Sequence, residues 1–181
     1  IINFINFMDG IDGLVGSSMI FIILSCSFFL GLNFSFIISS ILAFLLWNWS
    51  PSKVFMGDSG STFFGGFIVI SILNSYSFED SSLIFFSCSP LLIDSFICLV
   101  RRLLNGQKIF KAHKLHLYQR LNQNGWSHAN VASLYLISTM IFFLTCISRN
   151  WLLIGLSLII LMSYGFYLDR NHAIPFKSLV K

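Results

Sequence analysis

The sequence predicts an all-α fold, a polytopic integral-membrane helix bundle, and three observations carry that prediction. Only 10% of the 181 residues are charged while 56% are hydrophobic, with 21 phenylalanines. A soluble domain carries about 25% charged residues, so this composition cannot cover a water-facing surface. The apolar residues fall in long unbroken runs, as membrane spans do, instead of alternating with polar ones. Finally, the basic residues collect on one face once those runs are folded back and forth across a bilayer.

From Gly13 to Ser52 there is no charged residue, and these 40 residues are too many for one crossing. As a single helix they would extend roughly 60 Å, about twice the hydrocarbon thickness. Two spans are therefore expected, with the turn near Gly31, Leu32 and Asn33. Ser59 to Phe78, Leu121 to Ser148 and Asn150 to Leu168 are further uncharged runs, and Ser81 to Val100 is interrupted only by Asp94. Helices are expected throughout, because lipid offers no partner to unpaired backbone groups. About six spans result, forming a single membrane domain over 1–181. The chain opens on Ile1 inside a polar, Asn-rich stretch with no charged signal-like segment before it, and reads as the C-terminal part of a longer protein.

Alternation of the spans puts the first polar motif, Asn48 to Ser61, Arg101 to Asn130 and the tail after Leu168 on one side. That side receives 10 of the 11 basic residues, leaving Arg149 on the other. The positive-inside rule makes it the cytoplasm. The turns at Asn74 to Ser82, with Glu79 and Asp80, and at Ser148 to Asn150 then face outward. The net charge of +4 is modest, and no nucleic-acid partner is expected. Cys26, Cys88, Cys98 and Cys146 lie in apolar runs without a CxxC or a Cys/His ligand spacing. They are expected to be free thiols packed as small hydrophobes.

Three polar clusters carry the chemistry. In NFINFMDGIDGL, Asn3, Asn6, Asp9 and Asp12 recur every third residue, which sets them on one helical side or along a turn at a helix end. Carboxylates beside amides at a membrane edge suggest a polar site, although Asp, Asn and Gly also build plain turns. The second cluster, VFMGDSGST from Val54 to Thr62, brings one carboxylate, two glycines and three hydroxyls directly into a span. Backbone N–H groups at such a helix start can face phosphate oxygens. Asp58 could hold a hard cation such as Mg²⁺, which takes one or two carboxylates and completes its shell on substrate phosphate. The GxxxxGK[ST] spacing of a P-loop is absent, and a helix-entry turn is the plainer reading of the same residues.

The third cluster, Arg101 to Trp126, holds six basic residues with His113 and His116. It suits a nucleotide diphosphate or a lipid phosphate, or simple anchoring on the positive side. An HxxH pair on a helix can bind metal, but the sequence offers no third ligand nearby and no adjacent acid. His128 follows Ser127, which reads as the N-cap of the next span, and has a structural place. Asp94, the one acid inside an apolar run, needs a partner in the membrane. Arg101, seven residues on and on the same helix face, or a hydrogen bond to another helix would supply it.

These clusters, in this order, resemble the polyprenyl-phosphate N-acetylhexosamine-1-phosphate transferase family, glycosyltransferase family 4. NFINFMDGIDGL is similar to the family's NxxNxxDGxDGL, WNWSPSKVFMGDSGS to its NxxPAxxFMGD and VFMGDxGS motifs, and KAHKLHLYQRL to its His-containing loop in the form of O-antigen-type members. The resemblance implies transfer of N-acetylhexosamine-1-phosphate from a UDP-sugar to undecaprenyl phosphate with release of UMP, as a first membrane step of O-antigen or related envelope polysaccharide synthesis. Its lipid partners would be undecaprenyl phosphate and the membrane, with a homodimer kept open. It implies that Asp9, Asp12 and Asp58 are catalytic, with Asp58 holding Mg²⁺, or Mn²⁺ as the alternative ion. Asn6 would line the phosphate site, Asp12 and Asn48 would lie nearest the uracil with Phe55 stacked on it, and His113, His116 and Arg120 would contact phosphate or sugar. The family's DDxxD motif has no counterpart in these residues, so the chain alone is expected to be inactive. The competing readings are an inactive truncated remnant and a membrane transporter or scaffold.

Overall fold

A computed structural model describes residues 1–108 and 113–179. The described residues are helical with no strand. A short helix α1 (Ile2–Met8) leads into α2 (Leu14–Leu30) and α3 (Ser35–Asn48), then α4 (Gly57–Leu73), α5 (Phe78–Ser87) and α6 (Ser89–Leu104). A short α7 of about two turns (Leu117–Gln123) precedes the two longest helices, α8 (His128–Ile147) and α9 (Trp151–Asn171), and a 3-10 turn covers Phe176–Leu179.

Length and apolarity qualify α8 and α9 as membrane spans, and the α5–α6 pair qualifies as one span bent by 71°. The apolar helices α2, α3 and α4 have 17, 14 and 17 residues, at or below the short end for crossing hydrocarbon. The protein is a multi-pass membrane helix bundle, in which the six expected spans become two full-length helices, one sharply bent pair and three short helices. The turn expected near Gly31 is there, with Gly31 in the left-handed region closing α2.

The run from Ser81 to Val100 is not one straight helix. It breaks at Cys88, and Pro90 stands in the first turn of α6. Proline lacks the N–H and its ring crowds the carbonyl four residues back, so the two halves diverge. Other starts follow side-chain caps: Ser77 accepts from the Asp80 N–H, Ser127 from that of Asn130, and Asn150 from those of Leu152 and Leu153. Each cap satisfies backbone donors that the first turn leaves open.

The bundle is built around α2, which packs against α3, α4, α5 and α8, while α1 lies between α4 and α6. Ile5 and Met8 of α1 are fully buried with Leu14, Met19, Ile22 and Ile23 of α2. The contact of α1 with α4 depends on Gly65, where a Cβ would stand 2.7 Å from the Ile2 Cα. In contrast, α9 leans on α8 and α7, and Leu152, Leu156, Ile159 and Ile160 remain exposed, as a lipid-facing surface should.

The two ends of the bundle carry different charge. At one end Arg149 meets Glu79 at 3.6 Å and Asp80 at 2.6 Å, with its guanidinium over the Phe29 ring at 5.5 Å. That joins the ends of α2, α5 and α8 as the span parity requires. At the opposite end Arg101 and Arg120 both bind Asp169. Arg101 therefore pairs with α9, not with Asp94 of its own helix. The four cysteines are buried free thiols.

Candidate active site

The polar motifs converge at the arginine-rich end. Asn3 and Asn6 lie on α1 and Asp9 caps its C-terminus, so the three-residue spacing continues from the helix into the turn before α2. Asp58 is in the first turn of α4. The Asn6 amide donates to Asp58 Oδ1 at 3.1 Å and to Ser61 Oγ at 2.9 Å, tying the first motif to the second across 52 residues. Burial, reinforced by the negative charge of Asp58, pushes the Asp9 carboxyl up to about 6. Two carboxylates near enough to repel each other, one of them exposed, form a donor set that suits a hard divalent cation.

Asp12 faces a different set of partners. It accepts from Ser52 Oγ at 2.8 Å and the Ser52 N–H at 3.2 Å, and its Oδ2 is 3.0 Å from His128 Nδ1. Burial alone would raise this carboxyl, but the Ser52 bonds and the imidazole outweigh it and hold it below the usual range. His128 thus contacts Asp12 of the candidate site as well as standing at the start of α8, where a structural place was expected for it. The span parity that put Ser127 on this side was the signal that could have found it.

Asn48 is buried with both ends of its amide engaged: Oδ1 accepts the Gly13 N–H at 3.1 Å and Nδ2 donates to the Val54 carbonyl at 2.9 Å. It joins the two motifs from behind. Gly13 has φ +73°, and a Cβ there would stand 2.9 Å from the Trp49 ring, so the DG pair leads into α2 where other residues would be strained. Phe55 is 75% exposed, an open aromatic face three residues before Asp58 in the chain.

The histidine loop reaches the same place through α1. The Tyr118 hydroxyl donates to the Phe7 carbonyl at 2.9 Å, and the His116 ring lies 6.1 Å from that of Phe7. His113 and His116 stack with centroids 5.1 Å apart. Neither histidine is within a helix: His113 is in an irregular segment and His116 immediately precedes α7. Burial, then the charges of Arg102 and His116, lower His113 to about 4, so it is neutral near pH 7.

Asp94 organises this loop. Its carboxylate accepts the Leu117 N–H at 2.8 Å, the Tyr118 N–H at 3.2 Å and the Tyr135 hydroxyl at 2.6 Å. The expected helix-to-helix hydrogen bond is therefore present, to α8. Arg120 is 2% exposed, with its guanidinium on the Leu115 and Ile174 carbonyls and on Asp169. It holds the loop and the tail together from inside.

The multi-pass helix bundle thus gathers acids, amides and imidazoles from separate motifs at its basic end. The family model described as Glycosyl transferase family 4 matches residues 1–76. A Bacillus subtilis (strain 168) protein named "Probable undecaprenyl-phosphate N-acetylglucosaminyl 1-phosphate transferase" is 38% identical over 89% of this chain and 48% of its own length. A Mycobacterium leprae decaprenyl-phosphate N-acetylglucosaminephosphotransferase is 34% identical over 74% of this chain and 42% of its own. The phospho-N-acetylmuramoyl-pentapeptide-transferase of Staphylococcus carnosus is 36% identical over 77% and 45%. The chain belongs to the glycosyltransferase family 4 group of polyprenyl-phosphate hexosamine-phosphate transferases, and it spans about half the length of the curated relatives it matches.

Proposed function

We propose that the whole protein transfers N-acetylhexosamine-1-phosphate from a UDP-sugar to undecaprenyl phosphate, at the cytoplasmic face of a bacterial inner membrane, to begin O-antigen or a related envelope polysaccharide. The observation that carries this reading is the Asn6 to Asp58 hydrogen bond with Asp9 beside it. It brings the two acidic motifs together at the basic end of the bundle. The names of the relatives support a polyprenyl phosphate acceptor and phosphohexosamine transfer.

In the reaction an oxygen of the lipid phosphate attacks the sugar-bearing phosphorus of the donor. A new P–O bond forms as the diphosphate bridge breaks, and UMP leaves. Asp58, with Asp9 near it, would hold Mg²⁺ or Mn²⁺, which when bound neutralises the diphosphate and acts as a Lewis acid. Asn6 fixes the Asp58 carboxylate. Asp12, oriented by Ser52 and His128, borders the nucleotide side, and Phe55 offers a surface on which a base can stack. His113 and His116 face the phosphate or sugar, while Asn48 and Arg120 position the motifs from within.

With full-length protein, UDP-GlcNAc, undecaprenyl phosphate and Mg²⁺, UMP should be released. Asp58→Ala should lower that release by about two orders of magnitude or more. UMP release at the wild-type rate in the variant would remove the assigned metal role. The transporter alternative relied on a free mid-span acid, and Asp94 is engaged with α7 and α8.

A further inference from the structure

The fold gathers a group of side chains that lies apart from the acidic motifs and includes a thiol that phosphate transfer does not use. Cys98 of α6, His113 and His116 bring one potential ligand atom each to within 4.8 Å of one another. Among the described residues these are the only three His, Cys, Asp or Glu side chains so placed. The sequence separates the thiol from the imidazoles, and the fold supplies the third ligand that HKLH lacks.

We propose that Cys98, His113 and His116 form a binding site for a thiophilic divalent cation of the Zn²⁺ class. A thiol with two imidazoles is a soft and borderline donor set, which favours Zn²⁺ over Mg²⁺. In a tetrahedral Zn²⁺ site, bond lengths of about 2.0 to 2.3 Å set ligand atoms roughly 3.4 Å apart. The trio needs to contract by at most about 1.4 Å, and the fourth position would be left to water.

A second, independent observation points the same way. His116 is 2% exposed, and its Nδ1 is buried without a hydrogen-bond partner. It lies 3.8 Å from Asp94 Oδ1. A carboxylate behind an imidazole is the arrangement that orients metal-binding histidines. Asp94 is four residues before Cys98 on α6, so both project from one helix face. His113 is half-buried and provides the approach from solvent; its Nδ1 accepts only a long bond of 3.3 Å from the Leu115 N–H, which a metal at that nitrogen would replace. On binding, the Cys98 S–H bond breaks, its proton passes to solvent, and a metal–sulfur bond forms. The site would staple the histidine loop to α6, and it would withdraw both imidazoles from any phosphate.

The inference does not rest on the transferase reading, and its test needs no turnover. Full-length protein in detergent, free of nucleotide sugar, is titrated with Co²⁺ as the spectroscopic probe. A thiolate-to-cobalt charge-transfer band should grow to a single equivalent per chain, be abolished by Zn²⁺ and resist excess Mg²⁺. Cys98→Ser should remove the band, Cys146→Ser should keep it, and Asp58→Ala should keep it even where transfer is lost. His113→Ala, at a half-buried loop position that folding tolerates, should weaken Co²⁺ binding at least about tenfold. Absence of a thiolate band, its survival in Cys98→Ser, or unchanged affinity in His113→Ala overturns the proposal.

Discussion

Asp9 and Asp12 are three residues apart in one turn and have opposite electrostatic surroundings. Asp12 is held anionic by Ser52 and His128, whereas Asp9 is raised to about 6 by burial and by Asp58. Between its ordinary value near 3.8 and about 6, the folded protein keeps a proton on Asp9 that the unfolded chain has already lost. The Asp9 contribution to stability is therefore fully present below the ordinary value and is lost as pH rises through about 6. In metal-free protein with chelator, thermal melting should show wild type losing ground to Asp9→Asn between about pH 4.5 and pH 7. An unchanged gap between the two across that range would refute the assignment. The carboxylates themselves were legible as motif members. Their partners were not, since Ser52 and His128 are 40 and 116 residues from Asp12 and nothing in spacing links them.

At the level of elements, most helices were readable because uncharged runs and caps such as Ser127 are local properties. The break in the run from Ser81 to Val100 was signalled by Pro90, a residue whose missing N–H marks a helix's first turn, yet a count of apolar residues passes over it. Asp94 shows the limit more sharply. Its nearest sequence candidate, Arg101, sits on the same helix but is drawn to Asp169 of α9, leaving Asp94 for the N–H groups that open α7. Only the tertiary arrangement decides between such partners. Tyr135→Phe removes one donor to a buried carboxylate and should cost about 1 to 3 kcal/mol. Hydrogen exchange at the Leu117 and Tyr118 amides should quicken in that variant relative to α8. Exchange there at the wild-type rate would mean that Asp94 does not depend on Tyr135 to hold α7.

For the molecule as a whole, charge and parity alone predicted which loops share an end, and the ion pairs of Arg149 at one end and Asp169 at the other reproduce that division. The orientation proposed on the positive-inside rule can be tested directly, because the four thiols of the chain are buried and give little background. In intact cells a membrane-impermeant maleimide should label Asn74→Cys and spare Lys53→Cys until the membrane is opened. The reverse pattern would invert the topology and put the acidic motifs outside.

Asp169 also gives the last helix an unequal hold on its neighbours. Along most of its length α9 has an apolar surface open to lipid, but at its foot one carboxylate balances two guanidiniums, from α6 and from α7. A chain ended after Leu168 would keep the membrane-filling part of α9 and lose that counterweight. Two cations beside the histidine loop would then lack their anion, so the short polar terminus governs the shape of the loop more than the long greasy helix that delivers it.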